Sequence, residues 1–149
     1  MYTLPCACAN LRRADRVVSQ FYDDALRPSG LRISQFTLLQ ALSLAPQFSQ
    51  KKISQKQLAE LLEIDSTTLT RTLAPLREKR WLLAVAGNDR RELRLSLTAA
   101  GRRKYESALP YWETAQRGLR RALGKANWNR LIETAVSTAG ARRKLRESA

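Results

Sequence analysis

Residues Lys52 to Gly101 read KISQKQLAELLEIDSTTLTRTLAPLREKRWLLAVAGNDRRELRLSLTAAG. Ser54 opens a helix and Gln57, three residues on, completes a capping box, with Leu58, Ala59, Leu61 and Leu62 as the apolar face. After Glu63-Ile64, the pair Asp65-Ser66 offers side-chain oxygens to cap a second helix, in which Leu69, Leu73 and Leu76 recur at helical spacing. The opposite face carries Ser66, Thr67, Thr68, Thr70, Arg71 and Arg77. Small hydroxyls ahead of an arginine one turn later let a helix approach base edges and phosphates without obstruction, as a recognition helix does in the major groove. Gln55 and Lys56, at the front of the supporting helix, fit contacts to the phosphate backbone.

Downstream the period falls from helical to two. Leu93, Leu95 and Leu97 alternate with Arg94 and Ser96, which predicts a strand with leucines inward and arginine outward, and Leu83 and Val85 supply its partner. Gly87-Asn88 marks the turn, extended by Asp89-Arg90-Arg91, and Ile53 is placed to add a short third strand. Thr98 caps the next helix. The order helix, turn, helix, hairpin, helix is a winged helix-turn-helix, so the fold class is mainly α with a small β-wing (α+β). On a projecting ribbon, Arg90, Arg91 and Arg94 are candidates for the minor groove or its phosphates, while Asp89 shapes the ribbon.

These residues resemble the MarR family of transcriptional regulators. The motifs that carry the resemblance are ISQKQLAELLEIDSTTLTRTLAPL and DRRELRLSLTAAG, the latter following the family's wing pattern of Asp, any residue, Arg, then Leu-Thr and Gly at fixed distance. The flanking LRRADRVVSQFYDDALRPSGLRISQFTLLQAL is similar to the family's first two helices, so the resemblance spans nearly the whole chain. It implies a homodimer on double-stranded DNA. Two departures stand out. Arg80 occupies a position where the family often has Gly, which would put a residue with a Cβ in the left-handed region at a cost of about 1 kcal/mol. Pro75 lies inside the recognition helix and removes the amide that would bond to Arg71.

The composition agrees with a polyanionic partner. Lys plus Arg outnumber Asp plus Glu by 27 to 13, a net charge of +14 across 149 residues. No apolar run approaches the ~18 residues of a spanning helix, and the start of the chain lacks a signal peptide's apolar segment, so the expectation is a cytoplasmic protein without a membrane partner. There is no histidine, which removes His-based acid-base catalysis and the ordinary His-containing zinc sites. With no Gly-rich phosphate loop either, an enzyme is not expected and no cofactor is required. The charge alone would equally suit an architectural protein that coats DNA without sequence preference.

Three segments are expected: an N-terminal helix over 1–32, the DNA-binding lobe over 33–98, and C-terminal helices with a basic tail over 99–149. The first helix carries Leu11, Ala14, Val18, Phe21 and Ala25 on one stripe, widened by Val17, Tyr22 and Leu26, and runs to about Arg27. A second, very apolar helix is expected from Ser34 to Pro46. A long helix from about Ala99 is bent near Pro110 and Gly118 and closed by Gly124, and a last helix holds Trp128, Leu131, Ile132 and Val136. The outer helices carry more apolar surface than a small lobe covers, and a second copy would bury it. Such a dimer sets two recognition helices on successive major-groove faces of a pseudo-palindromic operator.

Cys6 and Cys8 fall in the first turn of the first helix, where unpaired amides and the helix dipole favour an anion, and Arg12 lies one turn after Cys8. The resemblance implies a sensor there, since family members that respond to oxidants place a cysteine in this neighbourhood. A Cys-Ala-Cys pair can also hold a soft ion such as Cu(I), Hg(II) or arsenite, and small buried packing residues are the plainer alternative. Tyr22, Phe36, Tyr111 and Trp112 could line a pocket where family members accept aromatic or phenolic effectors, with Arg13 and Arg16 as a carboxylate clamp, although aromatics at helical spacing are more often core.

Overall fold

The computed structural model describes residues 5–48, 52–87 and 92–147. Helix α1 spans Ala7–Leu26, with Cys6 at its N-cap. A single 3-10 turn, Arg27–Ser29, and Gly30 at φ 67° lead into α2, Ile33–Phe48. The Asp23 carboxylate accepts the Ile33 amide at 2.6 Å, so α2 begins one residue before the expected Ser34 because α1 supplies its cap. Nor does Pro46 end α2, which runs on to Phe48. A proline this close to a C-terminus removes only one rung of the ladder.

Next come β1, Ile53–Ser54, α3, Gln55–Leu61, and α4, Ser66–Glu78. Ser54 accepts the Gln57 amide at 3.0 Å while the Gln57 side chain accepts the Ser54 amide at 2.9 Å, the expected capping box. α4 passes through Pro75 without ending. Both helices close the same way. Ile64 donates to the Ala59 carbonyl and Trp81 to the Leu76 carbonyl, with Glu63 and Arg80 between at φ 51° and 55°. These are Schellman ends with charged residues in the left-handed position that glycine usually takes. Arg80 was expected there; Glu63 was not.

The strands β2, Leu82–Ala86, and β3, Leu93–Leu97, form with β1 an antiparallel sheet in the order β1-β3-β2. The register pairs Leu82 with Leu97, Ala84 with Leu95 and Ala86 with Leu93. Leu82 and Ala84 therefore share the inward face with Leu95 and Leu97. The expected inward partners Leu83 and Val85 pair with Ser96 and Arg94 on the other face, and Leu83 is exposed. Leu93 also lies beyond the core and is exposed.

Phe36, Leu39, Leu58, Leu69, Leu76 and Leu95 are fully buried in one core contributed by α2, α3, α4 and β3. Phe36 stacks on Trp112 with ring centroids 5.6 Å apart. Helix α5, Ala99–Glu147, keeps helical dihedrals through Pro110 and Gly118 and departs from them at Gly124, φ 74° and ψ 160°. Its start is tied to the end of α4. The Thr98 hydroxyl accepts the Gly101 amide at 3.0 Å and donates to the Arg80 carbonyl at 2.8 Å. The Lys79 and Lys104 ammonium groups lie 4.8 and 5.1 Å from the centre of the Trp81 ring.

The chain divides into two compact units, Met1–Trp112 and Glu113–Ala149. In the second, Glu113 and Arg117 pair one turn apart, and Leu131, Ile132 and Val136 are exposed. Among the described residues no helix is long and apolar enough to cross a membrane.

A Cβ at Gly101 would lie 1.8 Å from the Trp81 carbonyl oxygen, whereas one at Gly140 would meet nothing within 4 Å. Gly101→Ala is therefore expected to cost about 1–3 kcal/mol through forced backbone displacement, read as a lower urea midpoint at unchanged slope, while Gly140→Ala leaves the midpoint in place or raises it.

Candidate nucleic-acid interface

The reading face of α4 is defined by what its other face buries. Leu69, Leu73 and Leu76 lie in the core, so Ser66, Thr67, Thr70 and Arg71 stand in solvent, as does Arg77 at the helix end. Asp65 caps α4 by accepting the Thr68 hydroxyl at 2.6 Å and the Thr68 amide at 2.8 Å. These bonds, the hydroxyl first and then the amide, hold the Asp65 carboxyl below the ordinary carboxylate range. Thr68 is half-buried, turned away from the reading face.

Thr70 is held on both sides. Its hydroxyl donates to the Ser66 carbonyl at 2.8 Å and accepts from the Gln55 amide nitrogen at 2.9 Å. Gln55 thus bridges α3 to α4, which sequence spacing did not disclose, and Lys56 beside it is exposed. On the wing, Arg94 is half-buried and its guanidinium donates to the Glu92 carboxylate at 3.3 Å. Glu92 immediately precedes β3 and lies two residues before Arg94, a spacing that could have disclosed the pair. Arg90 and Arg91, with Asp89, lie outside the described residues.

The remaining candidates separate into two cavities bordered by α1. Cys6 and Cys8 are exposed free thiols. With Ala9, Arg12, Arg13 and Arg16 they line a surface concavity of about 350 Å³. The two arginines expected beside the aromatic pocket therefore stand beside the cysteines. No group of three or more His, Cys, Asp or Glu side chains converges among the described residues.

Tyr22 and Trp112 line a separate cavity of about 460 Å³, walled also by Asp15 and Ser19 of α1 and by Thr68 and Thr72 of α4. Burial pushes the Tyr22 phenol up from its ordinary range. Phe36 lies beneath, in the core, and Tyr111 is exposed.

A capped reading helix, a bridged supporting helix and a three-stranded wing define a winged helix-turn-helix DNA-binding regulator. Residues 29–92 match the MarR family model. Over 97 residues the chain is 30% identical to an uncharacterized HTH-type transcriptional regulator of Bacillus subtilis, YwoH, a stretch covering 64% of this chain and 66% of that relative. The structure of the M. tuberculosis transcriptional regulator MosR in complex with DNA is similar at 35% identity and a TM-score of 0.83, over 95% of this chain and 98% of that one. Bordetella bronchiseptica BpsR, whose DNA binding is regulated by 6-hydroxynicotinic acid, shares the fold at 21% identity and a TM-score of 0.77, covering 94% and 98% of the two chains. The protein belongs to the MarR family of DNA-binding transcriptional regulators.

Because the Asp65 carboxyl is held low, its cap contributes fully above the ordinary carboxylate range and is lost as pH falls through the lowered value. Thermal melts of wild type and Asp65→Ala should show a gap that is constant above about pH 5 and closes on acidification; a gap that widens instead would contradict the cap.

Proposed function

We propose that this protein acts as a homodimeric repressor on a pseudo-palindromic operator and that chemistry at Cys6 and Cys8 releases it. The exposed face of α4 carries the proposal. Ser66, Thr67, Thr70 and Arg71 stand outward on a helix locked from behind by three buried leucines and from the side by Gln55. The DNA-bound state of MosR supports the same use of this lobe.

Dimerisation is supported by the apolar side chains left in solvent at both ends of the chain. In α1 these are Leu11, Val17 and Phe21, and in α5 Leu131, Ile132 and Val136. Residues 1–32 and 99–149 would supply the seam and 33–98 the reading lobe. Two copies then set their reading helices about one helical turn of DNA apart, or a multiple of it.

Release is assigned to the thiols because they are exposed and flanked by Arg12, Arg13 and Arg16. A peroxide would oxidise a thiol to the sulfenic acid with release of water, placing a polar group at the seam. A soft ion held by these thiols and one from the second copy is the other route to the same change.

In competition binding the operator should outcompete random duplex by ~10³ or more, and peroxide should reverse binding in wild type but not in the Cys6→Ser, Cys8→Ser double variant. Equal affinity for any duplex would recast the protein as architectural. Unchanged release in the double variant would remove the cysteines from the mechanism, and a monomer in sedimentation would remove the dimer.

A further inference from the structure

We infer that Thr70 reads a thymine of the operator through its methyl group and that Gln55, on the supporting helix, is the positioning residue that turns it to do so. The assignment rests on the sequence-specific DNA binding proposed above and names the chemistry by which one base is selected.

A threonine on a reading helix brings a hydroxyl and a methyl, and its rotamer decides which of them meets the DNA. At Thr70 the oxygen is already committed. Its hydrogen goes back one turn to the Ser66 carbonyl at 2.8 Å, and the Gln55 amide nitrogen donates to the same oxygen at 2.9 Å. Having given its hydrogen to the helix backbone, the hydroxyl can only accept from Gln55, so the glutamine has to present its NH2 group there. One partner on α4 and one on α3 therefore hold the oxygen toward the protein. The methyl is left as the uncommitted part of an exposed side chain.

The C5 methyl of thymine is the apolar group among the donors and acceptors that distinguish the bases in the major groove. Guanine O6, thymine O4 and the purine N7 atoms each ask for a hydrogen, which Thr70 no longer has to give. Set against any of them, Thr70 would leave an acceptor unmet. Set against a thymine methyl, it removes apolar surface from water on both sides. Arg71, next in the chain and also exposed, brings the donors that Thr70 lacks. Thr72 makes the same back-bond, to the Thr68 carbonyl at 2.8 Å, but is half-buried and so is no reader.

The test begins with a duplex library enriched on the full-length protein. Each thymine of the enriched site is then replaced singly by deoxyuridine, which lacks only the methyl. At one thymine in each half-site the wild type should bind about fourfold more weakly, the worth of one buried methyl. Thr70→Ser keeps the hydroxyl and loses the methyl, and should bind the two duplexes equally at that position. Thr70→Val keeps a methyl and should retain the preference. Gln55→Ala should shrink it there, whereas a glutamine that merely tied the two helices together would weaken every duplex alike and leave the ratio at about fourfold. Circular dichroism verifies the fold of each variant. No thymine with such a penalty, a penalty that persists in Thr70→Ser or vanishes in Thr70→Val, or a ratio unmoved by Gln55→Ala would each overturn the assignment. Enrichment of no sequence over random duplex would sink sequence-specific binding itself and this assignment with it, and that failure is read before any thymine is altered.

Discussion

Leu69, Leu73 and Leu76 leave water together along one side of α4, and their burial sets the direction of every other side chain on that helix. At about 1.5–3 kcal/mol for each buried leucine, the three outweigh any contact that the exposed hydroxyls make. Turning α4 by one residue would swing the leucines about 100° out of the core. The reading face is therefore a by-product of packing. Ser66, Thr67, Thr70 and Arg71 point outward because the leucines point inward, and Thr68 and Thr72 fall between the two, where they wall the cavity.

Direction alone does not place a helix along its axis, and here the ends do that. Asp65 holds the front of α4, and the Schellman bonds from Arg80 and Trp81 hold the back. The Trp81 carbonyl then accepts the Thr98 amide and lies against Gly101. Recognition helix, wing and α5 thus share one junction of three or four residues. A glycine is required at position 101 for close approach, a different need from the positive φ that Glu63 and Arg80 meet at some cost in strain.

Much of this was legible before any coordinates. The caps at Ser54 and Asp65, the leucine stripe and the third strand at Ile53 each have a local cause, a hydroxyl or carboxylate at a fixed offset or a strict spacing. The errors have causes of a different kind. LLAVA contains five apolar residues in a row, so period two cannot choose its inward face; the pairing of Leu82 with Leu97 does. The start of α2 depends on Asp23, ten residues away. The expectation sets Arg13 and Arg16 beside the aromatic pocket, whereas they line the concavity of Cys6 and Cys8 near the front of α1. Cys8, Arg12, Asp15, Ser19 and Tyr22 recur at i, i+4, i+7, i+11 and i+14, one stripe, so spacing alone does not divide the two cavities. The Gln55 bridge to Thr70 joins two helices and had no local signature.

Helix α1 thus borders two chemically different surroundings, one cationic around thiols and one with a carboxylate at an apolar cavity. Whatever acts on either can alter DNA binding only by the difference in its affinity for the DNA-bound and free forms of the protein. A hundredfold change in operator affinity needs about 2.7 kcal/mol of such difference. A single neutral hydrogen bond at Thr68, worth roughly 0.5–1.5 kcal/mol, falls short. A ligand in the cavity would have to add the burial of its apolar body in one form and not the other, which requires the wall formed by α4 to move against the wall formed by α1. The leucines that fix the roll of α4 resist its rotation. Under the function proposed above, a signal therefore has to act on the placing of an intact reading helix rather than on its roll.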